Sequence, residues 1–543
     1  MKQTGVVVGL VLCLLASLGM AARMWAWVLN FDPGFVFNPS AASTGPPISS
    51  GVTVLLVDGL RLDASRRMAT LNSLRARGAD IEGHVGTPSF SRPGRATLVV
   101  GAPPDIHGVT TNRQRRMLAI DNLFRRVGAM GGTCRVAGSK IWPGLFADDI
   151  ARCGVYQPGE AKEGPGAFVR QVPGVRAAQE KGLGFILEQP AVLRIADIIS
   201  TDFAAHEYGG ASPEYAAEVA RADAYLADLV GRLDLSKETL VVTADHGHRD
   251  AGGHGGEEPA VLAIPIVMVG VGITPSTSAV ADQADIAPTI AALLGLTLPA
   301  GSSGHVLVSV LAADDAKLQL VQRASAVQEG AFGHAARARF GPTAEKQSDS
   351  DWTQMRRDYQ NAARSARTPT ALFLTAATLL GVGFSVFLAR PGAIGPIAGF
   401  WVAILTFLGP VRSLLPPLSF SAINYDDLLV RFFSRIMILA ALATLGSLTA
   451  AGLADRFLRK GRRRHSASAV AGVTGLLVST SLFLATMAAW LNHGLLLPFA
   501  LPGPDRMVEG YALTLALASV ALTSLIAVAL LRAVEARTSA GLG

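Results

Sequence analysis

With 543 residues the chain is long enough for several domains, yet 50% of it is hydrophobic and only 16% is charged, and a mean hydropathy of +0.37 excludes a purely soluble protein. The net charge of +7 does not point to nucleic acid. Much of the excess lies in one short basic run, Asp455 to His465, set between apolar segments where it reads as a membrane-topology signal.

Taken in order, residues 1–29 carry an apolar run from Gly5, just after Lys2, and are expected to form a membrane anchor or a signal segment. Small residues between Ala16 and Ala22 fit a cleavage site, whereas Met24 to Val28 extend the run towards spanning length. The anchor is favoured because the later chain is itself membrane-embedded, and in either case the domain beyond it is exported. Residues 30–50, rich in Pro, Gly and Ser, read as a linker. Residues 51–311 alternate strand-like and helix-like segments, which predicts an α/β domain with a mainly parallel sheet flanked by helices. The spacing of Tyr215, Val219, Ala222, Leu226 and Val230 predicts a covering helix over Pro213 to Leu233, and Ile264 to Gly270 reads as a buried strand.

Three apolar strand candidates in this domain end on aspartate. Val52 to Val57 runs into Asp58-Gly59. Leu193 to Thr201 runs into Asp202, with His206 four residues on, where positions i and i+4 of a helix share a face. Leu240 to Thr243 runs into Asp245-His246, and His254 comes next in a glycine-rich loop. Ligands of open α/β sheets sit at the carboxyl ends of strands. Carboxylate with imidazole suits divalent metal, zinc above all, and these residues suffice for two ions. Ser91 precedes Pro93 and the helix-like run Ala96 to Val100. A metal and a helix N-terminus would both lower the pKa of a hydroxyl there, so Ser91 is the candidate nucleophile, with an ordinary helix cap as the alternative. Cys134 and Cys153 form one disulfide or remain two thiols, and Cys13 reads as a small buried hydrophobe.

The set Asp58, Asp202/His206, Asp245-His246-Gly247 and His254 resembles the two-zinc site of the alkaline phosphatase superfamily, nearest its type I phosphodiesterase/nucleotide pyrophosphatase branch, with the lipid-glycan phosphoethanolamine transferases beside it. The stretch Thr87 to Gly108 is similar to that family's nucleophile segment, and Asp285 to Gly295 to one of its helices. The resemblance covers roughly residues 52–311. It implies an alkaline-phosphatase-like fold and two divalent metals, with Asp58, Ser91, Asp245 and His246 around one ion and Asp202, His206 and His254 around the other. The phosphoryl oxygens would be held by the backbone amide of Arg92 or by Lys140. Ser91-Arg-Pro-Gly-Arg95 also matches the serine form of the sulfatase signature, in which the nucleophile becomes formylglycine.

Residues 312–369 read as a helical connector, with Leu318, Val321, Ser325 and Gln328 spaced for an exposed amphipathic helix. Residues 370–543 read as an all-α membrane domain of about five spans, near 371–389, 394–411, 432–454, 467–491 and 511–531. The basic run places the third-to-fourth loop in the cytoplasm and the catalytic domain on the extracytoplasmic, periplasmic side. The loops at 410–430 and 492–510 then face that domain and read mainly as connections. The expected protein is a membrane-anchored, two-metal phosphoesterase working through phospho-Ser91 on a phosphoester that is lipid-linked or soluble. A phosphoethanolamine-type transferase on a lipid or glycan is the alternative, and a serine-type sulfatase a further one.

Overall fold

The apolar runs that end on aspartate become the middle of one sheet, side by side. The computed structural model describes residues 3–38, 42–114, 116–151, 153–157, 167–340, 419–423, 426–458, 466–492 and 503–540. Eight strands, β1 (Val52–Val57), β2 (Ala79–His84), β3 (Cys134–Ala137), β4 (Gly154–Tyr156), β5 (Leu193–Ile198), β6 (Thr239–Thr243), β7 (Ala263–Gly270) and β8 (Thr277–Asp282), form a sheet in the order β4-β3-β5-β1-β6-β7-β2-β8. All pairings are parallel except those of β7 with β6 and β2. Strands β1, β5 and β6 are buried along their whole length, as expected of parallel strands covered on both faces. Their register brings the carboxyl ends level, with Val57 opposite Ile198 and Leu56 opposite Thr243. The segments leaving all three therefore start at one rim.

The run expected as a strand over 193–201 stops earlier. β5 ends at Ile198 and a helix, Ser200–Tyr208, takes over, so Asp202 sits in its first turn and His206 one turn later. The covering helix is Pro213–Arg232. Ser212 caps it by accepting the Tyr215 N–H, with Pro213 in the first turn, where its missing N–H costs nothing. Its buried stripe is Tyr215, Val219, Ala222, Leu226 and Leu229, the last in place of Val230.

Residues 30–50 carry no helix or strand where described, but they do not hang free: Phe31 is buried, and the Ile48 and Ser49 amides both donate to Leu293 O. The helix Asp315–Phe340 is likewise no exposed connector. Val321 and Gln328 are buried, Gln328 donates to Ala300 O, and Phe332 stacks on Phe37. The remainder of 312–369 lies outside the described residues. Cys134 and Cys153 are joined by a disulfide.

Among the described residues four helices are long and apolar enough to cross a membrane: Thr4–Leu29, Arg431–Phe457, Ala467–Met487 and Pro504–Ala540. The expected spans at 371–389 and 394–411, and most of the basic run, lie outside the described residues. The four pack together, Thr4–Leu29 included; small residues let three of them approach, where Gly9 meets Leu476, Gly472 meets Val6 and Gly475 meets Ser524, while Arg431–Phe457 packs through Phe432 and Ile436 on Val508.

Candidate active site

Ser91 is the first residue of the helix Ser91–Val100, and it does not cap that helix. Phe90 holds the cap position with extended backbone and no side-chain bond. The Ser91 hydroxyl lies instead 3.1 Å from His246 Nε2. His246 Nδ1 is 3.0 Å from Gly247 O, an acceptor, which assigns the ring proton to Nδ1 and leaves Nε2 to accept from Ser91. The helix approaches the end of β6 so closely that a Cβ on Gly94 would come within 2.6 Å of Asp245 O and 2.8 Å of Asp245 Cβ. Only glycine allows the helix start to sit there.

Around Ser91 the rim residues form two groups that share His246. Asp58, Asp245 and His246 offer ligand atoms all within 4.8 Å of one another, and so do Asp202, His246, His248 and His254. His206 Nε2 lies 3.0 Å from His254 Nε2 and 3.4 Å from Asp202 Oδ1. The rings of His246 and His254 stack at 3.7 Å between centroids, joining the groups. The structure thus brings Asp58, Ser91, Asp202, His206, Asp245, His246 and His254 into one contiguous set.

Three further residues enter that sequence reasoning did not select as site members. His248, fully buried, puts Nε2 2.7 Å from Asp202 Oδ1, and its Nδ1 has no hydrogen-bond partner among the described residues. Arg95, one turn after Ser91, is also fully buried. It donates to Asp58 Oδ2 at 2.8 Å, Asp245 Oδ2 at 2.5 Å and Asp197 Oδ2 at 3.1 Å. Asn112 accepts the Arg92 N–H at 2.8 Å, so that amide, expected to hold a phosphoryl oxygen, is already engaged and the Asn112 carboxamide stands beside it.

Electrostatics follow from burial. Burial drives His246 down to about 4, against the opposing pull of Asp58, and drives His248 and His254 well below the usual histidine range, helped by neighbouring imidazoles. All three are neutral near pH 7, the form that binds metal. Burial also raises Asp245 well above the ordinary carboxylate range, with Asp58 adding to the push. Asp58 is held low despite its own burial, because Arg95 and His246 favour its charge.

The donor set fits divalent cations. Three buried carboxylates, Asp58, Asp197 and Asp245, share the one guanidinium of Arg95, and a fourth, Asp202, lies beside His206, His248 and His254, which leaves a deficit of positive charge in a site of low dielectric. Asp58 Oδ1 is buried and accepts no hydrogen bond among the described residues, and His246 Nε2 lies 3.4 Å from it.

Residues 52–160 and 168–257 match the family model of Type I phosphodiesterase / nucleotide pyrophosphatase. The matched residues carry β1 to β6 and the rim cluster of the head domain. This domain is also similar to curated proteins. Human "GPI ethanolamine phosphate transferase 3, catalytic subunit" is 25% identical over 289 residues, covering 48% of this chain and 26% of its own length. "GPI ethanolamine phosphate transferase 2" of Aspergillus fumigatus is 23% identical over 295 residues, covering 48% and 37%. The chain spans well under half the length of these relatives. Among solved structures, murine ectonucleotide pyrophosphatase / phosphodiesterase 5 matches the domain with a TM-score of 0.40 at 14% identity, covering 48% of this chain and 100% of that one.

Proposed function

We propose that the chain is a membrane-anchored phosphotransferase of the phosphoethanolamine type, acting outside the cytoplasm on a lipid or glycan acceptor through a covalent phospho-Ser91 intermediate. The observation that carries this reading is Ser91 at the start of a buried helix, with Oγ 3.1 Å from His246 Nε2 and flanked by two carboxylate–imidazole groups. The names of the curated relatives favour transfer to an acceptor. The four apolar helices favour a substrate in the membrane, and the Cys134–Cys153 disulfide favours an oxidising compartment.

In this reading Asp58, Ser91, Asp245 and His246 would hold one divalent ion, and Asp202, His206 and His254 the other, with His248 beside Asp202. Zinc is the ion best suited to such ligands. When bound, the ions supply the positive charge that lowers the pKa of the Ser91 hydroxyl and neutralises phosphoryl oxygens. The chain's own residues do the rest. The helix N-terminus favours the Ser91 alkoxide. Ser91 Oγ bonds to phosphorus as the donor's P–O bond breaks and the donor leaves as an alcohol. An acceptor hydroxyl then attacks the same phosphorus from the opposite side and frees Ser91. Arg95 keeps Asp58 and Asp245 in place, and the Asn112 carboxamide reaches a phosphoryl oxygen from beside the helix N-terminus.

A phosphodiesterase or phosphatase forms the same intermediate and delivers it to water, and the family description favours this second reading. One experiment separates them. Full-length protein in detergent is given a phosphodiester lipid with a labelled ethanolamine headgroup, quenched in acid, and the peptide containing Ser91 is weighed. A phosphoethanolamine adduct is expected in wild type and Ser91→Thr and absent in Ser91→Ala. Added acceptor alcohol should divert the label from water into a new diester. An aldehyde mass at position 91 would refute serine phosphotransfer and favour a sulfatase.

A further inference from the structure

The membrane region touches the metal-binding loop itself. A short helix, Phe420–Ile423, lies against the loop that joins β6 to β7. Ser421 Oγ accepts the Gly256 N–H at 2.8 Å and donates to Glu258 Oε2 at 2.5 Å, while Ser419 Oγ donates to Glu258 Oε1. Asp505, at the start of the last membrane helix, accepts the Phe420 N–H at 2.6 Å. Phe420 also packs on the apolar cluster formed by Phe432, Ile436 and Val508 within the bundle.

This contact accounts for the glycines around His254. A Cβ on Gly253 would run into the Ser421 carbonyl, one on Gly255 would come within 2.8 Å of Phe90 and 3.1 Å of Phe420, and one on Gly256 within 2.6 Å of Ser421 Oγ. The loop backbone is pressed between the nucleophile segment and the membrane turn. On the other side Ser89 Oγ accepts the Gly255 N–H at 3.1 Å, and Ser89 O lies 3.0 Å from His254 Nδ1. With Nδ1–H donating there, His254 Nε2 is turned towards Asp202 Oδ1, 3.7 Å away. Phe90 closes the sandwich, edge-on to both Phe420 at 5.5 Å and His254 at 5.7 Å.

We propose that Phe420 and Ser421 are positioning residues of the metal centre: the membrane turn clamps the glycine loop so that His254 meets Asp202. The proposal rests on the reading that Asp202 and His254 hold a metal. It makes the head's ligand set complete only when docked on its own membrane helices.

The test uses full-length protein in detergent micelles, stripped with chelator and titrated with cobalt(II), whose visible absorption reports the ligand geometry. Wild type should bind two equivalents. Ser421→Ala should weaken one of them about 10–100-fold, the usual effect of removing a group that orients a ligand, and change the visible spectrum. Ser421→Thr, which keeps the hydroxyl, should restore both. Ser468→Ala, which removes a hydrogen bond to Glu535 within the bundle, should leave both unchanged. Unaltered affinity and spectrum in Ser421→Ala would overturn the proposal alone. Equal losses in Ser421→Ala and Ser468→Ala would also overturn it, since they would report general loosening of the bundle. Wild type binding no cobalt would overturn the metal-dependent reading and this proposal with it.

Discussion

Arg95 sets the charge balance of the site, because its one guanidinium holds Asp58, Asp197 and Asp245. Arg95→Met should cost about 3–5 kcal/mol, the usual consequence of leaving buried carboxylates unpaired, read as a fall in thermal midpoint. His248 is the second residue to test. If it helps hold the ion beside Asp202, His248→Ala should weaken one metal equivalent in a zinc titration, whereas an unchanged titration would leave it a packing residue. A pH effect comes from His107, outside the metal site, whose Nδ1 accepts the Val109 N–H and whose Nε2 lies 3.1 Å from Thr97 Oγ1. Burial lowers it from 6.5 to about 3. The unfolded chain therefore binds a proton that the folded chain refuses as pH falls from 6.5 towards 3, so stability drops through that window, by up to about 1.4 kcal/mol per pH unit. The thermal midpoint should decline as pH falls below 6.5, and His107→Gln should flatten the decline. At this scale the sequence was only partly legible. Aspartates at strand ends stand out, and Arg95 was visible at i+4 from Ser91 but appeared only as part of a signature. His248 lies in a loop beyond the end of β6, where no periodicity says which way a side chain points. Asn112 meets Arg92 through coil, which leaves no local pattern at all.

At the scale of elements, apolar runs bounded by turn residues marked β1, β6 and β7 to within a residue or two. Their adjacency could not be read, because strand order depends on non-local pairing. β5 is shorter than its sequence suggests, since Ile199 and Thr201 are β-branched and continue a strand pattern into what is the start of a helix. The helix Asp315–Phe340 reads as exposed because Ala, Arg and Gln dominate its composition. Its buried face runs through Val321, Ala324, Gln328 and Phe332, and spacing alone does not say what such a face packs against. The fit of the Ser91 helix against β6 is testable. Gly94→Ala would drive a methyl into Asp245 and push the helix start outward, and a displacement of about 1 Å at a nucleophile costs about 100-fold in rate. Turnover of the labelled diester should fall by about that factor with the metal content preserved.

For the whole molecule, the apolar C-terminal helices were legible by length and composition, and the docking of head on bundle was not. A loop that reads as a connection carries Phe420 and Ser421 against the glycine loop that bears His254, and neither residue is unusual in sequence. The same docking bears on topology: the turns at Phe420 and Gly503 lie against Glu258 and Glu257 of the head, so the opposite end of the bundle, where Ser468 meets Glu535, should face the cytoplasm. Reporters fused after Ser466 and after Pro504 should fall on opposite sides, with the second on the side of the head, and protease access to both from outside intact cells would refute this. The first membrane helix meets the head on the same side, since Met24 packs with Trp490 and Met507 near the Gly503 turn. Thr110 Oγ1 donates to Val28 O at 2.7 Å, Trp27 meets Phe31 edge-on at 5.7 Å, and Arg339 Nε donates to Pro33 O at 2.6 Å. The first helix thus ends on the loop that carries Asn112. We expect this to act as a depth gauge: if Ser91 acts as proposed, it does so at one fixed altitude above the bilayer, and the reach of the substrate's headgroup decides which phosphoesters arrive.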